Sequence, residues 1–227
     1  MLTKSDHERI TATIAEIESK TSGEIFCVLA HEVSRYREVP LTWAAIAALA
    51  IPPALVFSGL HRLAMVDIFS SWTDDSVRGV ESLILRALST YTVLQAGIFL
   101  LVALVVALPR VRRFMTPQFL KRHRVRQVAR HHFAAAGARL SKAEPHILIY
   151  ASLHDRQVEL VAHRAIHEAV GEGPWNAAVA AVIEGMKTGK PADGFIHAVE
   201  ICGGALAMHF PPNGSPRNAF PNSVLET

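Results

Sequence analysis

The sequence predicts an α/β fold in which a small central sheet, flanked by helices, is interrupted by a two-helix transmembrane hairpin. Three observations support this prediction. Short runs of strand-forming residues alternate with amphipathic helical patterns. Two long stretches, 41–60 and 91–108, contain no charged residue. A strongly basic segment follows the second stretch directly.

The first part of the predicted domain, residues 1–40, combines a helix and a strand. Residues 3–20 place isoleucines on one helical face, and Ser5 with Glu8 fits a capping box. Residues 24–31 form a short apolar run without alternation. Such a run is typical of a strand that is buried on both faces of a sheet.

The two uncharged stretches predict the transmembrane hairpin, residues 41–108, with residues 61–90 as the connection. As helices, the two arms would rise about 27–30 Å, close to the hydrocarbon thickness of a bilayer. A charged side chain at mid-membrane costs about 2.5–3.5 kcal/mol on insertion scales, so the absence of charge fits a membrane. Two buried core helices are the alternative interpretation. The second half of the connection fits a separate amphipathic helix.

A basic segment follows the hairpin, although the formal net charge of the chain is only +3. Residues 109–143 contain no Asp or Glu. We interpret the segment as a lipid-facing patch, since a basic residue near an anionic surface gains about 1 kcal/mol. Nucleic-acid binding is disfavoured because no motif supports it. The patch comprises Arg110, Arg112, Arg113, Lys121, Arg122, Arg124 and Arg126.

The same basic residues predict orientation. Because Lys and Arg concentrate on the cytoplasmic side, both termini are expected in the cytoplasm and the connection outside. This describes a multi-pass protein of the cell membrane.

Residues 109–210 are expected to complete the α/β domain. They read as a basic helix over 118–140, a strand hairpin, and two further helices. The tail, residues 211–227, is expected to be disordered. The strands are 146–152 and 157–163, and the expected apolar helix faces are Trp175, Val179, Ile183 and Met186, and then Phe195, Val199, Cys202 and Leu206.

Several of these segments resemble the TPM domain family. The Thr-Ser-Gly-Glu-Ile stretch at 21–25 leads into an apolar strand as the opening of TPM domains does. The later segments 146–153, 158–162, 164–166 and 173–175 resemble the second half of that domain. The resemblance covers about residues 3–33 and 118–210.

The resemblance implies an α/β fold with a small central sheet, and often a membrane link in bacterial members. Some members are described as acid phosphatases or divalent-ion binders, and others assist photosystem repair or receptor assembly. Where the family usually has an Asp at the end of the second hairpin strand, this chain has His163, followed by Arg164 and by Ala165 in place of Gly. Carboxylates suit calcium or magnesium and imidazoles suit zinc, so this departure weakens the expectation of a divalent cation.

The candidate binding residues are few. His163 and His167 are spaced i, i+4 and would share a helical face. Asp155 lies in a predicted turn, where its side chain is expected to bond the backbone two residues on. Catalytic motifs and a CxxC pair are absent from the sequence. The full set is Glu24, Asp155, His163, Arg164 and His167.

Two functions therefore stay open at this point. The first is an interaction or assembly module, held at the membrane surface and bound to anionic lipid and a membrane-protein partner. The second is a divalent-metal-dependent phosphatase at the same surface.

Overall fold

The computed structural model describes residues 2–34, 36–58, 80–138, 145–212 and 223–226. The chain divides into two compact units. The sheet unit comprises Met1–Arg35 with Gln118–Thr227, and the hairpin unit comprises Tyr36–Pro117. The described residues contain eight helices and a four-stranded sheet with helices around it, which is the mixed α/β class expected.

The sheet unit contains five helices and four strands among its described residues. In chain order they are α1 (Lys4–Glu18), β1 (Glu24–Ala30), α5 (Gln118–Gly137), β2 (His146–Ser152), β3 (Gln157–Ala162), α6 (Arg164–Val170), α7 (Gly173–Lys187), α8 (Pro191–His209) and β4 (Val224–Glu226). The hairpin unit contains three helices among its described residues: α2 (Glu38–Phe57), α3 (Val80–Ala107) and α4 (Pro109–Met115).

The strand order is β3-β2-β1-β4. β1 pairs in parallel with β2 along its whole length, from Glu24 opposite His146 to Ala30 opposite Ser152. β2 and β3 form an antiparallel hairpin. The insertion therefore separates two strands that are neighbours in one sheet.

Alternation of side chains along β1 and β2 divides the core into two clusters. Ile25, Cys27 and Leu29 face the larger cluster, which α1, α6, α7 and α8 also supply. Val28 and Ala30 face the smaller cluster, where α5 contributes residues such as Val125 and Ala129. Burial on both faces explains why the two parallel strands read as continuous apolar runs.

The cap of α1 differs from the expectation. Thr3 is the N-cap, and its hydroxyl accepts from the Asp6 N–H while the Asp6 carboxylate accepts from Thr3. The predicted Ser5–Glu8 capping box is wrong by two residues, because Ser5 already lies inside the helix. Both arrangements have an acidic residue at the third helical position, so the sequence pattern alone fits either.

The C-terminal strand corrects a second expectation. The tail from residue 211 was expected to be disordered, but Val224–Glu226 pairs in parallel with β1. Val224 is buried in the larger cluster, and this apolar contact holds the segment. Residues 213–222 lie outside the described residues.

The hairpin unit contains two long apolar helices that pack against each other, α2 and α3. Both are long and apolar enough to cross a membrane. Pro52 and Pro53 lie inside α2. α3 begins at Val80, so the expected separate amphipathic helix is instead the first part of one 28-residue helix. The rest of the connection, residues 59–79, lies outside the described residues.

Two adjacent glycines in α8 give a matched test of the packing of α8 against α1. A Cβ at Gly203 would collide with Ile17 of α1, whereas a Cβ at Gly204 would meet nothing within 4 Å. Gly203→Ala should lower the free energy of unfolding by about 1–3 kcal/mol through overpacking. Gly204→Ala should raise it by about 0.5–1 kcal/mol through helix propensity. Thermal unfolding of both variants in one detergent checks this, and equal effects of the same sign would contradict it.

Candidate functional site

One end of the sheet brings two of the predicted residues into one row. Glu24 lies opposite His146 in the parallel ladder, and the His163 N–H donates to the His146 carbonyl across the β2–β3 pair. The imidazole rings of His146 and His163 have centroids 5.4 Å apart. Residues opposite one another in a sheet project to the same face. The row therefore places a carboxylate and two imidazoles at the beginning of β1 and β2.

Aromatic packing covers this row. The ring of Phe133 on α5 stacks on that of His146 with centroids 4.4 Å apart. The ring of Phe26 on β1 also stacks on that of His146, with centroids 6.5 Å apart. The last residue of α5, Gly137, lies beside the His146 ring, and a Cβ there would be in van der Waals contact with Nε2 at 3.4 Å. His146 is buried as a result. The row is therefore part of a packed layer.

A second carboxylate lies beside the row. Glu18, the last residue of α1, accepts a hydrogen bond from the Ile25 N–H at 3.0 Å. Burial raises the pKa of Glu18 to about 7, and the nearby Glu24 charge adds to that rise. The Glu18 side chain thus links the end of α1 to β1. With a pKa of about 7, its carboxyl group takes up a proton near neutral pH.

Asp155 lies at the opposite end of the sheet. The length of β2 separates it from the row by about 20 Å, from six steps of about 3.3 Å between His146 and Ser152. The Ser152 hydroxyl donates to its Oδ2 at 3.1 Å, and the Asp155 N–H donates to that hydroxyl. This bond replaces the expected one to the backbone two residues on. Arg156, next in the turn, has a φ of +52°.

Asp155 also has an electrostatic effect on Tyr150 of β2. Its Oδ1 is buried and has no hydrogen-bond partner in the described part of the chain. Burial, and after it the Asp155 charge, raises the pKa of Tyr150 to about 12. These contacts tie the hairpin turn to the end of β2.

Arg164 and His167 lie on α6, and both are exposed. Arg164 Nε donates to Glu168 at 2.7 Å, one turn along the same helix. His163 is the N-cap of α6, and its Nδ1 accepts from the Ala165 N–H at 3.4 Å. The two histidines therefore do not share a helical face, because His163 precedes the helix and uses a ring nitrogen as a cap.

The divalent cation implied by the family resemblance does not fit this donor set. Within residues 2–34, 36–58, 80–138, 145–212 and 223–226, no three His, Cys, Asp or Glu side chains converge with metal-binding geometry. The candidate residues divide between the two ends of the sheet and the surface of α6. A hard cation needs several oxygen ligands at once, and the row combines two imidazoles with the single carboxylate of Glu24.

The thiols show no sign of activation. Cys27 and Cys202 are both buried in the larger cluster. Burial raises the pKa of Cys202 to about 12, and burial followed by the charge of Cys202 raises that of Cys27 further. Since the thiolate is the reactive form, both cysteines act as core side chains.

The predicted basic patch divides between α4 and α5. On α5, Arg122, Arg126 and Arg130 are exposed at four-residue intervals, which places them in one line along the helix. Arg126 Nε donates to Glu159 of β3 at 2.9 Å. Lys121 and Arg124 are half-buried beside this line. On α4, Arg110 and Arg113 are exposed and Arg112 is half-buried.

Sequence reasoning missed His146 and Glu18. His146 begins an apolar run and reads as a strand residue, and its proximity to Glu24 and His163 depends on the strand register. Glu18 reads as one more polar position near the end of a helix. A buried carboxyl or imidazole has no signal in a single sequence until its neighbours are known.

Comparison with known proteins identifies a fold relative. No family model matches the sequence, and neither does any curated protein. The solved NMR structure of the BA42 protein from the psychrophilic bacterium Bizionia argentinensis is similar, with a TM-score of 0.54 and 15% sequence identity. The similarity covers 100% of this chain and 96% of that chain. At this identity it establishes similarity of fold alone.

Glu18→Gln tests the buried carboxyl group. Because the folded-state pKa is about 7 and the ordinary value is 4.5, the folded state binds more protons between these values, and stability falls as pH rises through that window. The amide keeps the acceptor for Ile25 and removes the charge. We expect the free energy of unfolding of the variant to exceed that of the wild type by about 1–2 kcal/mol at pH 8, a value already reduced for the partial exposure of Glu18. Below pH 4.5 the two proteins should be equally stable.

Thermal unfolding across pH 4–8 measures this difference. Glu16→Gln is the matched control, because Glu16 is an exposed carboxylate on the same helix that pairs with Lys20. Glu16→Gln should not raise the free energy of unfolding at pH 8. Parallel stability curves for Glu18→Gln and the wild type would contradict the assignment.

Proposed function

We propose that this chain is a membrane-anchored TPM-like domain that acts as an interaction or assembly module at the membrane surface. The observation that carries the proposal is the exposed apolar surface of the hairpin unit. In α3, Leu100 and Leu104 are each 70% exposed, and in α2 Leu49 is 65% exposed. Contiguous apolar surface on a folded protein marks a contact with a partner or with lipid. Two helices of membrane length favour lipid.

Two hydroxyls of α3 support the same proposal. The hydroxyls of Ser89 and Thr92 donate to the carbonyls of Leu85 and Leu88, one turn earlier in α3. Hydroxyls in apolar helices satisfy themselves in this way when water is absent. These two hydroxyls of α3 therefore bring satisfied donors to a lipid surface.

The base of the hairpin is closed by a hydrogen bond. Trp43 Nε1, near the beginning of α2, donates to the Met115 carbonyl at the end of α4 at 3.0 Å. The chain therefore enters and leaves the hairpin unit at the same end. An indole at this position also suits the membrane–water interface.

The pairing of β1 with β2 supports a chain that crosses the membrane twice. β1 precedes the hairpin unit and β2 follows it, yet the two strands pair directly. Both must lie on the same side of a membrane, and an even number of crossings permits that. With the positive-inside rule, the basic segment after the second arm favours a cytoplasmic sheet unit and cytoplasmic termini.

The basic line on α5 favours anionic lipid as one partner. Like charges four residues apart repel, and lysine and arginine in the first turns of a helix oppose its macrodipole. α5 itself contains no acidic residue, and Glu159 of β3 offsets the charge of Arg126. An anionic headgroup surface would supply further countercharge to the line.

The module function rests on the resemblance to TPM domains and on the state of the candidate residues. The polar row is packed beneath Phe133, and the thiols are buried with raised pKa values. Surfaces without an assembled catalytic set suit binding to a membrane protein during assembly or repair. The alternative is a divalent-metal-dependent phosphatase, for which the buried, unpartnered Oδ1 of Asp155 in the described residues is the one favourable observation.

A charge placed at mid-helix tests the anchor. Leu100→Arg should reduce membrane insertion, at a cost of about 2.5–3.5 kcal/mol, and should lower the fraction that resists alkaline carbonate extraction. Leu225→Arg is the matched control, since Leu225 is 53% exposed on the sheet unit and should leave extraction unchanged. If the Leu100→Arg protein resists carbonate extraction as fully as the wild type does, the helices do not span a membrane.

Metal addition separates the two functions. The module predicts that calcium, magnesium and zinc leave the unfolding midpoint of the purified protein unchanged and that phosphomonoesters are not hydrolysed. A real ion site would raise the midpoint with concentration, because a ligand that binds the folded state stabilises it. Stabilisation that is lost in Asp155→Asn, together with phosphomonoester turnover, would establish the enzyme instead.

A further inference from the structure

The short helix α4 is held at both ends at the base of the hairpin unit. Only Leu108 separates it from α3. At its other end, the Met115 carbonyl accepts the hydrogen bond from Trp43 Nε1 at 3.0 Å. Trp43 lies within Glu38–Leu55, the part of α2 that is long and apolar enough to cross a membrane. Because α4 has seven residues and is about 10 Å long, the two attachments keep it across the base of the arms.

The outward face of α4 combines an aromatic ring with a positive charge. Phe114 is 89% exposed, and Arg110, one turn earlier on the same face, is also exposed. Val111 and Met115 are half-buried on the inner side. At a membrane–water interface, an aromatic ring can enter the boundary of the acyl chains while an arginine on the same helix stays among the headgroups. The outward face of α4 has the composition that such an interface requires.

Area, charge and continuity favour lipid over a protein as the partner of this face. A stable protein interface buries about 800 Å² on each partner, and one face of a helix about 10 Å long is too small for that. Residues 109–143, which begin with α4, contain no Asp or Glu and therefore attract negative charge. Leu108, between α3 and α4, is exposed as well, so the exposed apolar surface of α3 continues to α4.

We propose that α4 is an interfacial binding site for anionic lipid, in which Phe114 enters the acyl boundary and Arg110 binds the phosphate of a headgroup. The site rests on the proposed function, because it requires the two arms to lie in a bilayer. It belongs to a different helix from the arginine line of α5, where Arg126 already pairs with Glu159. Anionic lipid is thus bound at the hairpin itself.

A fluorescent probe at position 114 tests the depth of the site. Phe114→Cys is labelled with an environment-sensitive thiol fluorophore, and the buried Cys27 and Cys202 should not react. The full chain is reconstituted in bilayers of equal parts phosphatidylcholine and phosphatidylglycerol. Doxyl groups near the top of the acyl chains should quench this probe several times more strongly than a neutral water-soluble quencher does. A probe at Lys187, which is exposed on the sheet unit, should show the reverse.

The same probe measures which lipid occupies the site. The doxyl group is placed on phosphatidylglycerol in one sample and on phosphatidylcholine in the other. Quenching should show phosphatidylglycerol enriched about fivefold at position 114, the factor that corresponds to about 1 kcal/mol for one basic residue at an anionic surface. Arg110→Gln should remove this enrichment, whereas Arg110→Lys, which keeps the charge, should retain it.

The remaining outcomes would each overturn the proposal. Equal quenching by the two lipids would exclude an anionic-lipid site, and strong quenching from water would place α4 outside the membrane. Protection from both quenchers would mean that protein, such as a second copy of this chain, covers Phe114. A probe at Leu100→Cys separates these results from failure of the anchor. Lipid quenching at position 100 with water quenching at position 114 rejects the α4 site alone, and water quenching at both positions rejects the anchor.

Discussion

Parallel pairing of β1 with β2 is the constraint on which the rest of the structure depends. The two strands align over seven residues, yet 115 residues lie between Ala30 and His146. Parallel neighbours always need a crossover connection, and here that connection contains the complete hairpin unit as well as α5. The pairing divides the core into its two clusters and sets the row of Glu24, His146 and His163. It also creates the edge on which β4 lies.

In the proposed account, the same constraint gives the apolar hairpin a defined role. A single crossing would separate β1 from β2, whereas a hairpin returns the chain to its partner. The hydrogen bond from Trp43 to Met115 closes the hairpin at its base, and the leucines of α3 lie exposed along its length. In the proposed account, lipid covers those leucines and the anionic surface offsets the arginine line of α5. Anchor and fold are then parts of one topological arrangement.

Sequence reasoning succeeded where one local pattern decides the structure. The β1 and β2 runs lack alternation because both faces are buried, and the stripe of Phe195, Val199, Cys202 and Leu206 is fully buried as expected. It was incomplete for α7, whose buried positions include Ala178 and Gly185. The helices α7 and α8 approach so closely that a Cβ on Gly185 would lie 2.7 Å from Gly194 Cα. Small residues make that approach, and their burial depends on a partner that the periodicity does not reveal.

The site was harder to predict than the fold for a related reason. Glu24 and His163 share one end of the sheet only because of the strand register, and Asp155 lies at the other end for the same reason. β4 was missed because three residues after a Pro- and Asn-rich segment carry no periodicity. In each case a long-range pairing decides the outcome.

The central claim is that two crossings keep both halves of the sheet unit on one side of the membrane. Its most direct test places single cysteines at Lys20, Ser70 and Lys187 and labels intact cells with an impermeant thiol reagent, since Cys27 and Cys202 are buried. The account predicts label at position 70 and protection at positions 20 and 187 until the membrane is opened. Equal labelling at all three positions would contradict the crossings, and the reverse pattern would contradict the cytoplasmic orientation.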